Sequence, residues 1–206
     1  MTIPLTKSKF PMCINNPVTC LDKDSLFIQS GVTVVASSSG IGKTTWLQEK
    51  SEQWRSEGFE VTHFNYDQAP TYGKEMHTVP MCIKDHEEFL ELLMEEATKT
   101  DIIILDSFKA LLSYLIKDVE SNADVLPMMQ SFRSLCAKTG ISIILVHHTY
   151  INKQHTKPIQ HFYGSRAIEE QCDSAFIFNR TGNKMTAQIV KSRAGLSRDA
   201  IIDITQ

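Results

Sequence analysis

The stretch Val32-Thr-Val-Val-Ala-Ser37-Ser-Ser-Gly-Ile-Gly42-Lys43-Thr44-Thr45 decides the fold. A β-branched run reads as a strand, and the small-residue turn after it leads into a segment from Thr44 to Glu57 that reads as a helix ending near Gly58. Strand, glycine-bearing loop and helix in that order form the context in which successive backbone N–H groups and a helix N-terminus make a concave anion site. Ser38, Ser39, Gly40, Ile41, Gly42, Lys43, Thr44 and Thr45 are therefore the candidate nucleotide-binding residues. Lys43 is expected to reach the β and γ phosphates of ATP and the Thr44 hydroxyl to bind Mg²⁺. The pattern usually opens on glycine; here it opens on Ser37, so that turn must accept a side chain.

Working outward, Glu60 to Asn65 reads as a strand with Asp67 just past its end. Phe89, Leu92, Leu93 and Ala97 give His86 to Thr98 a helical period. Asp101-Ile-Ile-Ile-Leu105 and Ile141 to Val146 are apolar throughout, as strands buried on both faces of a parallel sheet are. Asn122 to Thr139 reads as a helix closed by Gly140, with Pro127 in its first turn or at a kink. Leu26 to Ile28 reads as a further short strand. Thr149 to Tyr163 is polar and basic without a period, and reads as a loop. Ser165 to Gln171 is a short helix, Ser174 to Asn179 and Ala187 to Lys191 are strands joined by a turn at Thr181 to Lys184, and Ala200 to Ile204 is a last strand. The expected fold is a three-layer α/β domain, its sheet mostly parallel with an antiparallel C-terminal hairpin. It spans residues 25–206 behind an N-terminal arm, residues 1–24, that contains Pro4, Pro11 and Pro17.

Composition narrows the function. The 206 residues are 42% apolar, enough for a packed core, and no apolar run approaches the roughly 18 residues of a membrane span. No basic-then-apolar leader is visible, so secretion is not expected. Cys13, Cys20, Cys82, Cys136 and Cys172 are scattered without zinc-site spacing, and a reducing, cytoplasmic compartment is expected. The net charge of −3 hides a division. Thr149 to Arg198 carries eight basic and three acidic residues, a balance of +5, and the rest of the chain stands at −8. Asymmetry of this kind marks an anion-binding face or is ordinary surface scatter.

Two carboxylates follow from the strand pattern. Asp106 ends the buried run Ile102 to Leu105, where it either holds Mg²⁺ through water or caps the next helix. Asp67 either activates the attacking water as a general base or serves a turn. The pair His147-His148 after a buried strand could also be read as metal ligands, although no third ligand stands nearby.

In combination the sequence resembles the RecA-type P-loop ATPases, and among them the core of hexameric replicative DNA helicases and their small plasmid and phage relatives. The resemblance is carried by Gly31 to Thr45, Ile102 to Ser107, Ile143-Ile-Leu-Val-His-His148, Tyr163-Gly-Ser-Arg-Ala-Ile-Glu169 through Asp173, and Lys191-Ser-Arg193-Ala-Gly195. It implies that His148 stands where a polar residue, typically Gln, senses the γ-phosphate. It implies that Lys191 and Arg193 act on the ATP of a neighbouring subunit; without the resemblance they read as a solvated strand. It implies that the basic loop meets single-stranded DNA through Lys153, His155, Lys157, His161 and Arg166, where a surface loop of no function is the plain alternative. A self-assembled ring or filament, a hexamer in the helicase version, is the implied state, with single-stranded DNA and other replication or recombination proteins as partners and no membrane. The implied function is a DNA-dependent ATPase, most concretely a small replicative-type helicase. A RecA-core strand-annealing protein and an ATP-controlled loader or switch for a protein partner are the alternatives.

Overall fold

In the computed structural model of the chain, the described residues are 20–22, 24, 26–66, 76–78, 85–152 and 159–205. Strand β1 (Val32–Ser37) leads into α1 (Lys43–Ser56), followed by β2 (Val61–Asn65), β3 (Met76–Thr78), α2 (His86–Glu96) and β4 (Ile102–Asp106). Then come α3 (Phe108–Leu115), α4 (Asn122–Thr139), β5 (Ser142–Asn152), β6 (Ile159–Phe162), α5 (Ala167–Gln171), β7 (Ser174–Thr181), β8 (Lys184–Ser192) and β9 (Ile201–Asp203). The sheet runs β3-β2-β4-β5-β1-β7-β8-β9, with β6 pairing β5. Neighbours from β3 through β7 are parallel, whereas β8 and β9 are antiparallel. This is the expected α/β architecture.

Strand periodicity sorts the core into two layers, because successive side chains point to opposite faces. On one face Val32, Val34, Ile103, Leu105, Ile143 and Leu145 pack with the apolar stripes of α2, α3, α4 and α5. On the other Val35, Ile102, Ile104, Ile144 and Val146 pack with Trp46, Leu47 and Trp54 of α1. Local signals set the helix ends. Asp85 caps α2 by accepting the Glu87 and Glu88 N–H groups at 3.0 Å each, and Gly140 closes α4 with φ +82°. Pro127 lies inside α4, past its first turn.

Three local expectations change. Leu26 to Ile28 forms no strand: Ile28 makes a single bridge to Cys20. The Phe27 N–H is taken instead by Asp22 Oδ1 at 3.0 Å, so a side chain replaces a ladder partner. Phe108–Leu115 is a helix that the sequence reading did not assign, with Phe108, Leu111 and Leu112 buried at helical spacing. The stretch Thr149 to Tyr163 is not simply a loop. β5 runs on to Asn152 and folds back as β6, with Thr149 opposite Phe162 and Asn152 opposite Ile159. Its flanks, Thr149-Tyr-Ile151 and Ile159-Gln-His-Phe162, are rich in β-branched and aromatic residues that suit a pleated ribbon.

Cys20, Leu21 and Asp22 are buried and join the packed body. Cys20 is disulfide-bonded, which the reading of a reducing compartment did not anticipate; Cys136 and Cys172 are free and buried. No helix among the described residues is long and apolar enough to cross a membrane.

Candidate active site

The phosphate-type loop joins the C-terminal end of β1 to α1. Gly42 is the residue before the helix and has φ +100°, a conformation that an L side chain rarely adopts. No acidic side chain stands in the first turn of α1, so the partial positive charge of the helix end is not offset by its own residues. Lys43 is buried, and its Nζ donates to Ser37 Oγ at 2.8 Å and to the Ser37 and Ser38 carbonyls at 3.3 Å each. Ser37 is fully buried, and its hydroxyl donates to the Ser38 carbonyl at 2.6 Å. The side chain that replaces the usual glycine therefore touches the loop lysine itself. Ser38 is half-buried, whereas Ser39, Gly40 and Thr45 are exposed around the loop mouth.

Asp106 lies 62 residues further on, yet Thr44 Oγ1 donates to its Oδ2 at 2.7 Å. Sheet order explains the meeting: β4 is separated from β1 only by β5, and Asp106 shares the α1 face with Ile102 and Ile104. Capping of α3 falls to Ser107, whose Oγ accepts the Ala110 N–H at 3.3 Å. A hydroxyl at a helix N-terminus beside a buried carboxylate is a hard-oxygen pair that fits Mg²⁺. The backbone N–H groups at the start of α1 fit a polyphosphate.

Parity separates the two histidines of β5. His147 turns to the face of α3, where its ring packs 5.7 Å from that of Phe108, and its Nε2–H donates to the Tyr163 carbonyl at 2.6 Å. Burial pulls its pKa down to about 4, against the opposing pull of that carbonyl, so the ring is neutral. His148 alternates to the α1 face and is level with Ser37, at the mouth of the loop. Among the described residues no cluster of three His, Cys, Asp or Glu side chains could hold a metal.

Lys191 and Arg193 are placed elsewhere. Arg193 Nη1 pairs with Asp173 Oδ1 at 2.6 Å, and Asp173 Oδ2 accepts the Val32 N–H at 2.8 Å. Val32 starts β1, so Arg193 stands at the opposite edge of the sheet from the loop, about 17 Å away along five residues of strand. Lys191 Nζ donates to the carbonyls of Glu169 and Glu170 at 2.9 and 2.7 Å. Asp67, Lys153, His155 and Lys157 lie outside the described residues. His161 belongs to β6, and Arg166 is exposed just before α5.

One residue at the loop was missed. A Cβ on Gly42 would stand 3.6 Å from Arg180 Nη1, so this exposed guanidinium hangs beside the start of α1. Its sequence signal was only membership of the basic C-terminal quarter. Placement depends on β7 lying parallel beside β1 and continuing past it.

A parallel sheet with a phosphate loop after β1 and a carboxylate at the end of β4, joined through Thr44, defines a P-loop ATPase of the RecA type. A sequence profile described as an AAA domain matches residues 51–154, and the chain belongs to this family. The fold is similar to that of the flagellar accessory protein FlaH from Methanocaldococcus jannaschii, with a TM-score of 0.56 and 16% identity over 85% of this chain and 84% of that one. No curated protein matches the sequence.

Proposed function

We propose that the protein is an oligomeric, DNA-dependent ATPase that acts on single-stranded DNA, most concretely as a small replicative-type helicase. The observation that carries this reading is the course of β5. It passes the phosphate loop at His148 and continues without a break into the β5–β6 hairpin, whose connecting residues include Lys153, His155 and Lys157. A change in β5 at the nucleotide is thereby joined by one strand to a basic segment suited to a phosphate backbone.

Within the site, Lys43 and the N–H groups of residues 38 to 45 hold the β and γ phosphates, and Thr44 with Asp106 holds Mg²⁺. When bound, Mg²⁺ supplies positive charge against the phosphoryl oxygens. Asp67 orients the attacking water and takes its proton, and His148 reads the γ-phosphate. Arg180 adds a cation from the same subunit. Arg193 is too far from its own loop to serve it, which suits a role toward the ATP of a neighbouring subunit, with Lys191 beside it. His161, within β6, and Arg166, just before α5, complete the DNA contacts of this reading.

The test is whether single-stranded DNA raises ATP turnover in a salt-dependent manner, and whether Lys153→Ala with Lys157→Ala removes that rise. DNA binding that is unchanged in the double variant refutes the hairpin assignment. A second reading, an ATP-controlled switch whose partner is a protein, is favoured by the fold shared with a flagellar accessory protein; turnover indifferent to DNA selects it. Strand annealing without ATP-driven unwinding selects the annealing version.

A further inference from the structure

We propose that His63 is a positioning residue for Asp106, supporting the carboxylate from beneath so that it can serve the metal. This rests on the reading of Thr44 and Asp106 as the metal site. His63 lies on β2, level with Ile104 of β4. Parallel neighbours present their side chains to the same face, so Val61, His63 and Asn65 share the α1 face with Ile102, Ile104 and Asp106. The imidazole thus occupies the layer just below the Asp106 carboxylate.

Three facts single it out. The side chain is 2% exposed. Its Nε2 is buried without a hydrogen-bond partner. That same nitrogen stands 3.5 Å from Asp106 Oδ2, the oxygen to which Thr44 already donates. An apolar side chain would fill this layer without burying an unpaired polar atom, so packing alone gives no reason for an imidazole here.

A small approach would make Nε2–H a proper donor to Oδ2. Two donors on one oxygen, the threonine hydroxyl from above and the imidazole from below, fix the plane of the carboxylate. Oδ1, which accepts no hydrogen bond among the described residues, is then left for a metal-bound water. Partners that orient a metal-site carboxylate in this way commonly govern affinity for the ion.

The experiment uses the full chain with ADP and measures Mn²⁺ affinity from the electron paramagnetic resonance signal of free Mn²⁺. His63→Leu is expected to weaken Mn²⁺ binding about tenfold. His63→Gln, whose amide places a donor near the position of Nε2, should stay within about threefold of wild type. ADP affinity measured in EDTA should be unchanged in both. Equal Mn²⁺ affinity in all three proteins, or equal weakening in the Leu and Gln variants, overturns the proposal. If His63→Leu does not fold, Gln is compared with Asn, whose shorter side chain stops below Oδ2: Gln retaining and Asn losing the affinity supports the role, and equal behaviour overturns it. Thr44→Ala separates the two levels of inference. If it also leaves Mn²⁺ affinity intact, the metal-site reading fails and takes His63 with it. If it weakens binding while His63→Leu does not, the His63 proposal fails alone.

Discussion

Gly164→Ala probes the packing that joins the hairpin to the rest of the site. Gly164 has φ +84°, and a Cβ there would stand 2.7 Å from the Val119 carbonyl oxygen. Two costs are separable. An L side chain in the left-handed region costs about 1–2 kcal/mol. The contact adds more, because the atom it meets is backbone and cannot swing aside. Val119 O also accepts the Ser165 N–H at 3.1 Å, and Ser165 Oγ donates to Asn122 Oδ1 beside it. Relieving the clash must shift that seam, at roughly 1–3 kcal/mol for overpacking. Gly58→Ala supplies the control, since Gly58 has φ +91° with nothing within 4 Å of its Cβ position. Urea unfolding followed by the fluorescence of Trp46 and Trp54, both buried, should show Gly164→Ala losing about 2–5 kcal/mol against about 1–2 for Gly58→Ala. Equal losses in the two variants would refute the packing of residues 163–165 against the connection between α3 and α4.

Four further outcomes are expected. His147 titrates near 6.5 when unfolded but near 4 when folded, so the unfolded chain holds more protons between those values and stability falls by up to ~3 kcal/mol as pH drops through them. Asp22, raised to about 6 by burial, works in the opposite sense, so Asp22→Asn should steepen the loss between pH 6 and 4; an unchanged slope by denaturant titration contradicts this. Ser37→Gly frees Lys43 from a hydroxyl acceptor and should tighten ADP binding about tenfold, the low end of what one charged hydrogen bond is worth; unchanged binding in a fluorescent-nucleotide titration counts against competition for the lysine. Arg180→Ala should weaken ADP binding about fivefold or more, while Arg198→Ala, whose side chain pairs with Glu169 at 3.5 Å, should not. Lys43→Ala and Arg193→Ala should each be inactive as ATPases, yet mixed together they should recover part of the turnover if Arg193 acts across an interface; no recovery would oppose that role.

The loop from Ser37 to Thr45 is legible because anion binding there is a contiguous property: strand end, turn and helix start follow one another in the chain. The apolar runs at Ile102 and Ile141 are legible for the same reason, since burial on both faces leaves a local compositional mark. The hairpin within Thr149 to Tyr163 is not legible, because its polar centre outweighs two short flanking strands. The helix at Phe108 escaped because it follows a buried strand directly and is only eight residues long.

Sequence alone therefore determined the class of fold, the phosphate loop and the division between an acidic body and a basic C-terminal quarter. Only the tertiary structure decided which distant residues meet there. Parallel pairing brings Asp106 to Thr44, strand parity turns His148 toward the loop and His147 away from it, and the β2–β4 register sets His63 beneath Asp106. The same sheet puts Arg180 beside Gly42 and Arg193 at the far edge, although both belong to one basic segment. The physical reason is that a strand fixes side-chain direction every second residue, while its neighbour in the sheet is chosen by pairing across tens of residues that no local pattern records.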